Sequence, residues 1–299
     1  MDNQNIKDMI TSSLNKEVQD IKKLGKGQSS STELYLISTS DRELVFKKIT
    51  DNERFKRSAF AYENITEKEM PELVKLDKEN KFLIIPFYEN HQMDWSNKEM
   101  YRNLISTTIR SHKKIHKMGV NPPLQVEYDE LVDSERESLL KDTYNEKARK
   151  YKDYVKDITK ELKNTTNGIR VEYNYNDSHI GNFIISENGE VKKLLDWEHS
   201  GLTPIIEEIS KTRYGLVDLP NKFVDIDLEE IYKEERVYVP RERTINMWVL
   251  LRAISSYNTT LKKGPLCEEY IELAGSEDNL LEAQEEIIKQ LLDKLDFTG

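Results

Sequence analysis

Residues 171–200, VEYNYNDSHIGNFIISENGEVKKLLDWEHS, constrain this chain more than any other stretch, because the spacing of apolar and polar side chains leaves little freedom in how it folds. Val171, Tyr173 and Tyr175 recur with a period of two and predict a strand. Asn176, Asp177, Ser178, His179 and Gly181 favour a loop and end it. Phe183, Ile184 and Ile185 predict a second strand, Glu187-Asn188-Gly189-Glu190 carries hairpin-turn chemistry, and residues 191–195 predict the returning strand. A hairpin so placed brings Asp196 back beside Asn182.

Asp177, Asn182 and Asp196 then form a chemically specific set. One carboxylate can receive or orient an acceptor hydroxyl, and two further oxygen ligands can hold magnesium on ATP. Taken singly, each is an ordinary turn residue. Their joint spacing, with Asp196-Trp197-Glu198 at the end of an apolar run, points to phosphoryl transfer.

Asp177-Ser178-His179-Ile180-Gly181-Asn182, followed by Leu194-Leu195-Asp196-Trp197-Glu198, resembles the catalytic and metal-binding loops of the aminoglycoside phosphotransferase and choline kinase-like family, distant relatives of protein kinases. The chain departs from that pattern in having Tyr175 and Asn176 where histidine and glycine are usual. The resemblance implies an α+β, two-lobed protein-kinase-like fold with an antiparallel N-terminal sheet and a larger, mostly helical C-terminal lobe. It implies catalysis by Asp177, magnesium on Asn182 and Asp196, and ATP or GTP as phosphoryl donor. It also implies a nucleotide-binding lobe over residues 1–85, a hinge over 86–95 and a catalytic lobe over 96–299.

The N-terminal part fits that plan. Residues 2–16 suit a short helix with Ile6, Met9, Ile10 and Leu14 on one face. Strands are expected over 18–24, 34–38, 43–49, 73–76 and 82–85. Between the first two, Gly25 and Gly27 let backbone approach a ligand, and Ser29 and Ser30 add donors, so this loop suits nucleotide phosphates. In the third, alternation puts only one of Lys47 and Lys48 on the nucleotide face; Lys47 shares its side with Val45, and Lys48 shares its side with the bulky Phe46, which favours Lys47. Glu63, in a helical stretch before Pro71, is the expected carboxylate partner of that lysine, with Glu53 as the competitor. The hinge would present backbone and side chains around Pro86 and Tyr88 to adenine.

Beyond the hinge, Ser96 with Glu99 three residues on forms a capping box, and an apolar stripe follows to Met118, with Gly119 as the stop. His112 and His116 lie four apart on that helix, but no HExxH carboxylate accompanies them, which disfavours a metal role. Residues 127–165 read as a charged helical insertion with Tyr144, Tyr151, Tyr154, Val155, Ile158 and Leu162 available for burial. Helices are expected over 204–214, 241–261 and after Ser276. Glu207 lies where the resembled family carries an aspartate that supports the catalytic loop.

Charge narrows the partners. The net charge of −10 argues against general nucleic-acid binding, and no apolar run reaches membrane-spanning length. With a polar N-terminus and the single Cys267, a cytoplasmic monomer or homodimer without disulfides is expected. Residues 218–299 hold 18 Asp and Glu against 10 Lys and Arg, which suggests an acid-lined acceptor cleft and a cationic acceptor, an aminoglycoside or amino alcohol being the leading example. Two rivals remain. A protein kinase is disfavoured because Asp-Trp-Glu replaces Asp-Phe-Gly and no Ala-Pro-Glu follows. A pseudokinase or regulatory nucleotide-binding module is motivated by Tyr175 and Asn176.

Overall fold

The computed structural model describes residues 3–26, 31–117, 122, 125–141, 146–165, 169–224, 228–235, 241–262 and 268–297. Gly27, Ser29, Ser30, Gly119, Tyr144 and Cys267 lie outside the described residues.

The chain opens with helix α1 (Asn3–Leu14), strands β1 (Val18–Lys26), β2 (Thr32–Thr39) and β3 (Glu43–Ile49), helix α2 (Asn52–Asn64), and strands β4 (Lys75–Asp77) and β5 (Phe82–Pro86). The strands pair antiparallel in the order β1-β2-β3-β5-β4. Alternation decides which side chain goes to which face. One face carries Tyr35, Ile37, Leu44, Phe46, Phe82 and Ile84, and Ile6 and Ile10 of α1 cover it. The other carries Val45, Ile49, Leu83 and Ile85 against Phe55 and Ala59 of α2. Phe46 is fully buried beneath α1, so a Phe46→Ala change removes about 3–5 kcal/mol of packing. The N-terminal helix, with Ile6 and Ile10 on its inner side, is thus the outer layer of the sheet.

After residues 87–97 the chain is mostly helical: α3 (Lys98–His116), α4 (Tyr128–Lys141), α5 (Glu146–Arg149) and α6 (Lys152–Lys163) precede strands β6 (Val171–Asn174), β7 (Phe183–Ile185), β8 (Val191–Leu194) and β9 (Gly201–Pro204). Helices α7 (Ile205–Arg213), α8 (Leu228–Glu235), α9 (Glu242–Leu261), α10 (Glu268–Ala274) and α11 (Glu277–Lys294) complete it. The start of α3 differs from the expected capping box. Asn97 Oδ1 accepts from the Glu99 and Met100 amides, while the Ser96 hydroxyl donates to Asp94, because a short Asx side chain closes this turn one residue later than the box requires.

Helix α9 is buried along most of its length, with Ile245, Trp248, Val249, Leu251 and Ile254 at 0–1% exposure, as its apolar run predicts. Val155, Ile158 and Leu162 of α6 join its cluster, so the charged segment 127–165 buries one face in the lobe's core. Two small antiparallel ribbons carry the loops between them. Strand β6 pairs with β9, and β7 pairs with β8. At the β7–β8 turn Gly189 has φ +83°, and a Cβ there would fall 2.4 Å from the Met100 carbonyl oxygen, so the hairpin seats on α3 only with glycine at its tip.

Candidate active site

Strand β6 ends at Asn174, whose amide donates to Thr203 O at 2.7 Å and Thr203 Oγ1 at 2.9 Å and pins the start of the loop to β9. Tyr175 follows, fully buried. Its hydroxyl donates to the Leu195 carbonyl, and its ring meets Trp197 edge-on at 4.8 Å. It thereby ties the loop before Asp177 to the loop that carries Asp196. Asn176 adopts φ +63°, a left-handed conformation that asparagine tolerates best after glycine, and its amide donates to Thr203 Oγ1 at 2.9 Å. The departure from histidine and glycine is therefore accommodated by local bonding.

Asp177 is partly exposed. Asn182 Nδ2 donates to its Oδ2 at 2.7 Å and its carbonyl at 3.1 Å, which leaves the Asn182 amide oxygen as the group suited to a cation. The hairpin returns as expected: Phe183 pairs with Leu194, and the Leu195 amide donates to Asn182 O at 2.8 Å. Asp196 follows at once, with φ +56°.

Across the lobes, Lys47 reaches both Asp196 Oδ1 and Glu198 Oε1 at 2.7 Å. Burial pulls the Lys47 ammonium down, but the two carboxylates more than offset it and hold its pKa above the ordinary value. Burial pushes Asp196 up, and Lys47 more than reverses this, so that carboxylate stays below its ordinary range. Strand alternation is seen directly, since Lys47 is buried on the α2 face opposite Phe46.

The expected partner of Lys47 is corrected. Glu63 points outward and pairs with Lys78 at 2.7 Å, and Glu53 pairs with Lys56 at 2.8 Å on the surface. The inner side of α2 offers Phe55, Ser58 and Ala59 instead, so no carboxylate of that helix faces the lysine. Glu198, buried and two residues past Asp196, occupies the place. Thr32 Oγ1 donates to it at 3.0 Å, and Arg54 Nη1 lies 3.5 Å away. The acidic third member of Asp-Trp-Glu was the available signal.

A second correction concerns the support of the loop that carries Asp177. Glu208, not Glu207, accepts from the Tyr175 amide at 2.6 Å and the Asn176 amide at 3.1 Å. His116 Nε2 lies 2.5 Å and His112 Nδ1 3.4 Å from its other oxygen. Burial raises the Glu208 pKa, yet the neighbouring histidines and these hydrogen bonds push it down to about 2. Burial likewise lowers His116, but Glu208 overrides it and raises it; burial prevails at His112, whose Nε2 instead meets Ser178 Oγ at 3.1 Å. Glu207 turns the other way, to Lys211 at 3.0 Å and Arg252 at 3.7 Å, and Lys211 also donates to the Asn176 carbonyl at 2.7 Å. One helical position separates the two glutamates, a rotation of about 100° that sequence alone does not set in phase.

Gly25 pairs with Leu34 in the β1–β2 ladder, just past an irregularity at Lys23. Pro86 closes β5. Tyr88 accepts at its hydroxyl from the Glu72 amide at 2.9 Å, and Lys193 Nζ lies 5.5 Å from its ring centre. Beside Asp177 a cavity of about 330 Å³ opens between α7, α9, α10 and α11. Among the described residues, no carboxylate of the acid-rich segment 218–299 lines it. Glu242, Glu285, Glu286 and Glu229 pair elsewhere, with Arg213, Lys150, Lys222 and Lys233.

No family model and no curated protein matches the sequence. Solved structures do. Choline kinase LicA from Streptococcus pneumoniae superimposes with a TM-score of 0.67 at 17% identity, over 96% of this chain and 98% of that one. A thermostable mutant of aminoglycoside phosphotransferase APH(4)-Ia gives 0.65 at 11% identity over 98% and 100%. Spectinomycin phosphotransferase APH(9)-Ia, solved with ADP and spectinomycin, gives 0.59 at 12% over 96% and 98%. The fold is the two-lobed kinase-like one. The match runs over nearly the whole of each chain, so both lobes and their connection share the arrangement. Among the described residues no helix is long and apolar enough to cross a membrane.

Proposed function

We propose that this protein is a small-molecule kinase that transfers the γ-phosphoryl group of ATP or GTP to a hydroxyl. The observation that carries the reading is the inter-lobe pair of Lys47 and Asp196 at 2.7 Å, one loop away from Asn182 and Asp177. In this reading Lys47, Gly25, Gly27, Ser29 and Ser30 serve the phosphates, and the hinge at residues 86–95 serves the base, with Pro86 and Tyr88 beside it. Glu198 replaces Glu63 as the group that positions Lys47.

The oxygen donors suit magnesium, which takes one or two carboxylates and completes its shell with water and phosphate. Asp196 and the Asn182 amide oxygen would hold it. When bound, magnesium neutralises charge on the phosphate oxygens. The remaining steps belong to the chain's own residues. Asp177 orients the acceptor hydroxyl and takes its proton. The acceptor oxygen bonds to the γ-phosphorus as the bond to the β–γ bridging oxygen breaks, giving a phosphomonoester and a nucleoside diphosphate. Asn182 Nδ2 holds the Asp177 carboxylate in place, and Tyr175 keeps the two loops at fixed separation.

The test is Asp177→Ala. Nucleotide binding measured calorimetrically with magnesium should persist, while phosphoryl transfer should fall about 10²- to 10⁴-fold. Near-full transfer by this variant would remove Asp177 from the chemistry.

A further inference from the structure

The cavity beside Asp177 differs from the acid-lined cleft that the sequence suggests. Among its described lining residues Asp177 is the only carboxylate, and two cations, Lys211 and Arg252, stand in the wall. Each cation is tied to a carboxylate that does not line the cavity: Lys211 to Glu207 at 3.0 Å, and Arg252 to Glu135 at 3.0 Å. Among the described residues the wall therefore offers an incoming ammonium no carboxylate except Asp177. Because Lys211 and Arg252 are already paired, the described wall away from Asp177 is close to neutral, and a charged group placed there would go without a counterion.

The remaining polar wall consists of hydroxyls, the His179 imidazole and one amide. Ser255, Ser256 and Thr259 come from one turn and the next of α9, and Tyr214 and Tyr270 face them from neighbouring segments. Gln284 of α11 donates to Ser256 Oγ at 2.9 Å, yet its own carbonyl oxygen is buried without a hydrogen-bond partner. An acceptor left so unmatched on a cavity wall is costly unless a bound molecule supplies a donor. The cavity, about 330 Å³, is of the size of small-molecule sites and opens to solvent.

From these observations we infer that the acceptor is an uncharged, polyhydroxylated molecule, a sugar-like alcohol, bound with one hydroxyl at Asp177 and others toward Ser256 and Gln284. The inference rests on the kinase reading above and reverses the cationic acceptor expected from sequence charge. The step itself is unchanged: the hydroxyl proton goes to Asp177, the oxygen gains the phosphoryl group, and nucleoside diphosphate leaves.

The experiment uses the full chain with magnesium and ATP or GTP, and measures phosphorylated product from matched sets of neutral monosaccharides and polyols, their amino-sugar counterparts and their uronic acids. Nucleotide binding is measured separately, so failure to bind nucleotide would sink the kinase reading itself. With nucleotide bound, the expected result is a neutral compound at least tenfold better in kcat/KM than its amino or acid counterpart. Preference for the amino compound, preference for the acid, or no turnover of any neutral compound overturns the inference. Gln284→Leu should raise KM for the best neutral acceptor about tenfold while leaving the nucleotide KM unchanged. Ser256→Ala provides the same readout if the leucine variant does not fold, and an unmoved acceptor KM in the folded variant removes this wall from recognition.

Discussion

Glu198 and Glu208 are both almost fully buried, at 2% and 1% exposure, and they hold opposite sides of the same site by different means. Glu198 is held by side chains from the N-terminal lobe, namely Lys47, Arg54 and Thr32. Glu208 is held inside the C-terminal lobe by two backbone amides and two histidines. A long side chain such as Lys47 can exchange partners when phosphate arrives, whereas backbone amides cannot leave the loop they belong to. The first arrangement couples the lobes through charge. The second fixes the loop before Asp177 from within the C-terminal lobe.

The sharpest way to break that contrast is Glu208→Ala. Two buried amides and a histidine pair lose their partner, so stability should fall by about 3–5 kcal/mol in chemical denaturation, with loss of turnover at any nucleotide concentration. A variant of unchanged stability would show that the loop does not depend on this carboxylate. The same group predicts a pH effect. Its folded pKa of about 2 lies below the ordinary 4.5, so its contribution is complete above about 4.5 and is lost as pH falls toward about 2. Acid titration of stability should therefore be flatter for Glu208→Gln than for the natural chain over that window, and parallel curves would refute the assignment.

Glu198→Gln probes the other member. The amide can still accept from Thr32 but no longer carries charge for Lys47. Steady-state kinetics should show the nucleotide KM rising about tenfold, as the loss of a charged hydrogen bond of about 1.5 kcal/mol implies, with a smaller effect on stability than Glu208→Ala. An equal loss of stability in the two variants would erase the distinction drawn between them.

The smallest effect belongs to Glu63→Gln. Its carboxylate pairs with exposed Lys78, so stability should change by less than about 0.5 kcal/mol and nucleotide KM should not move. A clear rise in nucleotide KM would reinstate α2 as the source of the lysine's partner.

How much of this was legible depended on range. The β7–β8 hairpin, its Gly189 turn and the return of Asp196 beside Asn182 follow from period-two patterning and turn chemistry within a short stretch. The choice of Lys47 over Lys48 follows from the same alternation, because Phe46 must enter the apolar layer. The capping of α3 was misjudged by one residue, since Ser96 and Asn97 both cap helices well and local geometry chose between them.

Sequence by itself determined the five strands, the polar loop with Asp177 and Asn182, the hairpin that returns Asp196 beside it, and the buried character of α9, because each is written in a local pattern. Tertiary structure alone decided which glutamate faces which partner. Glu63 and Glu198 compete for Lys47 from segments far apart in the chain, and Glu207 and Glu208 differ only by the rotation of one helix against its neighbours. It also decided the charge of the acceptor cavity, because net acidity counts residues without regard to where packing points them. Lys211 and Arg252 reach the wall because α7 and α9 cross beside Asp177, and the surplus carboxylates turn to cations on the outer helix faces.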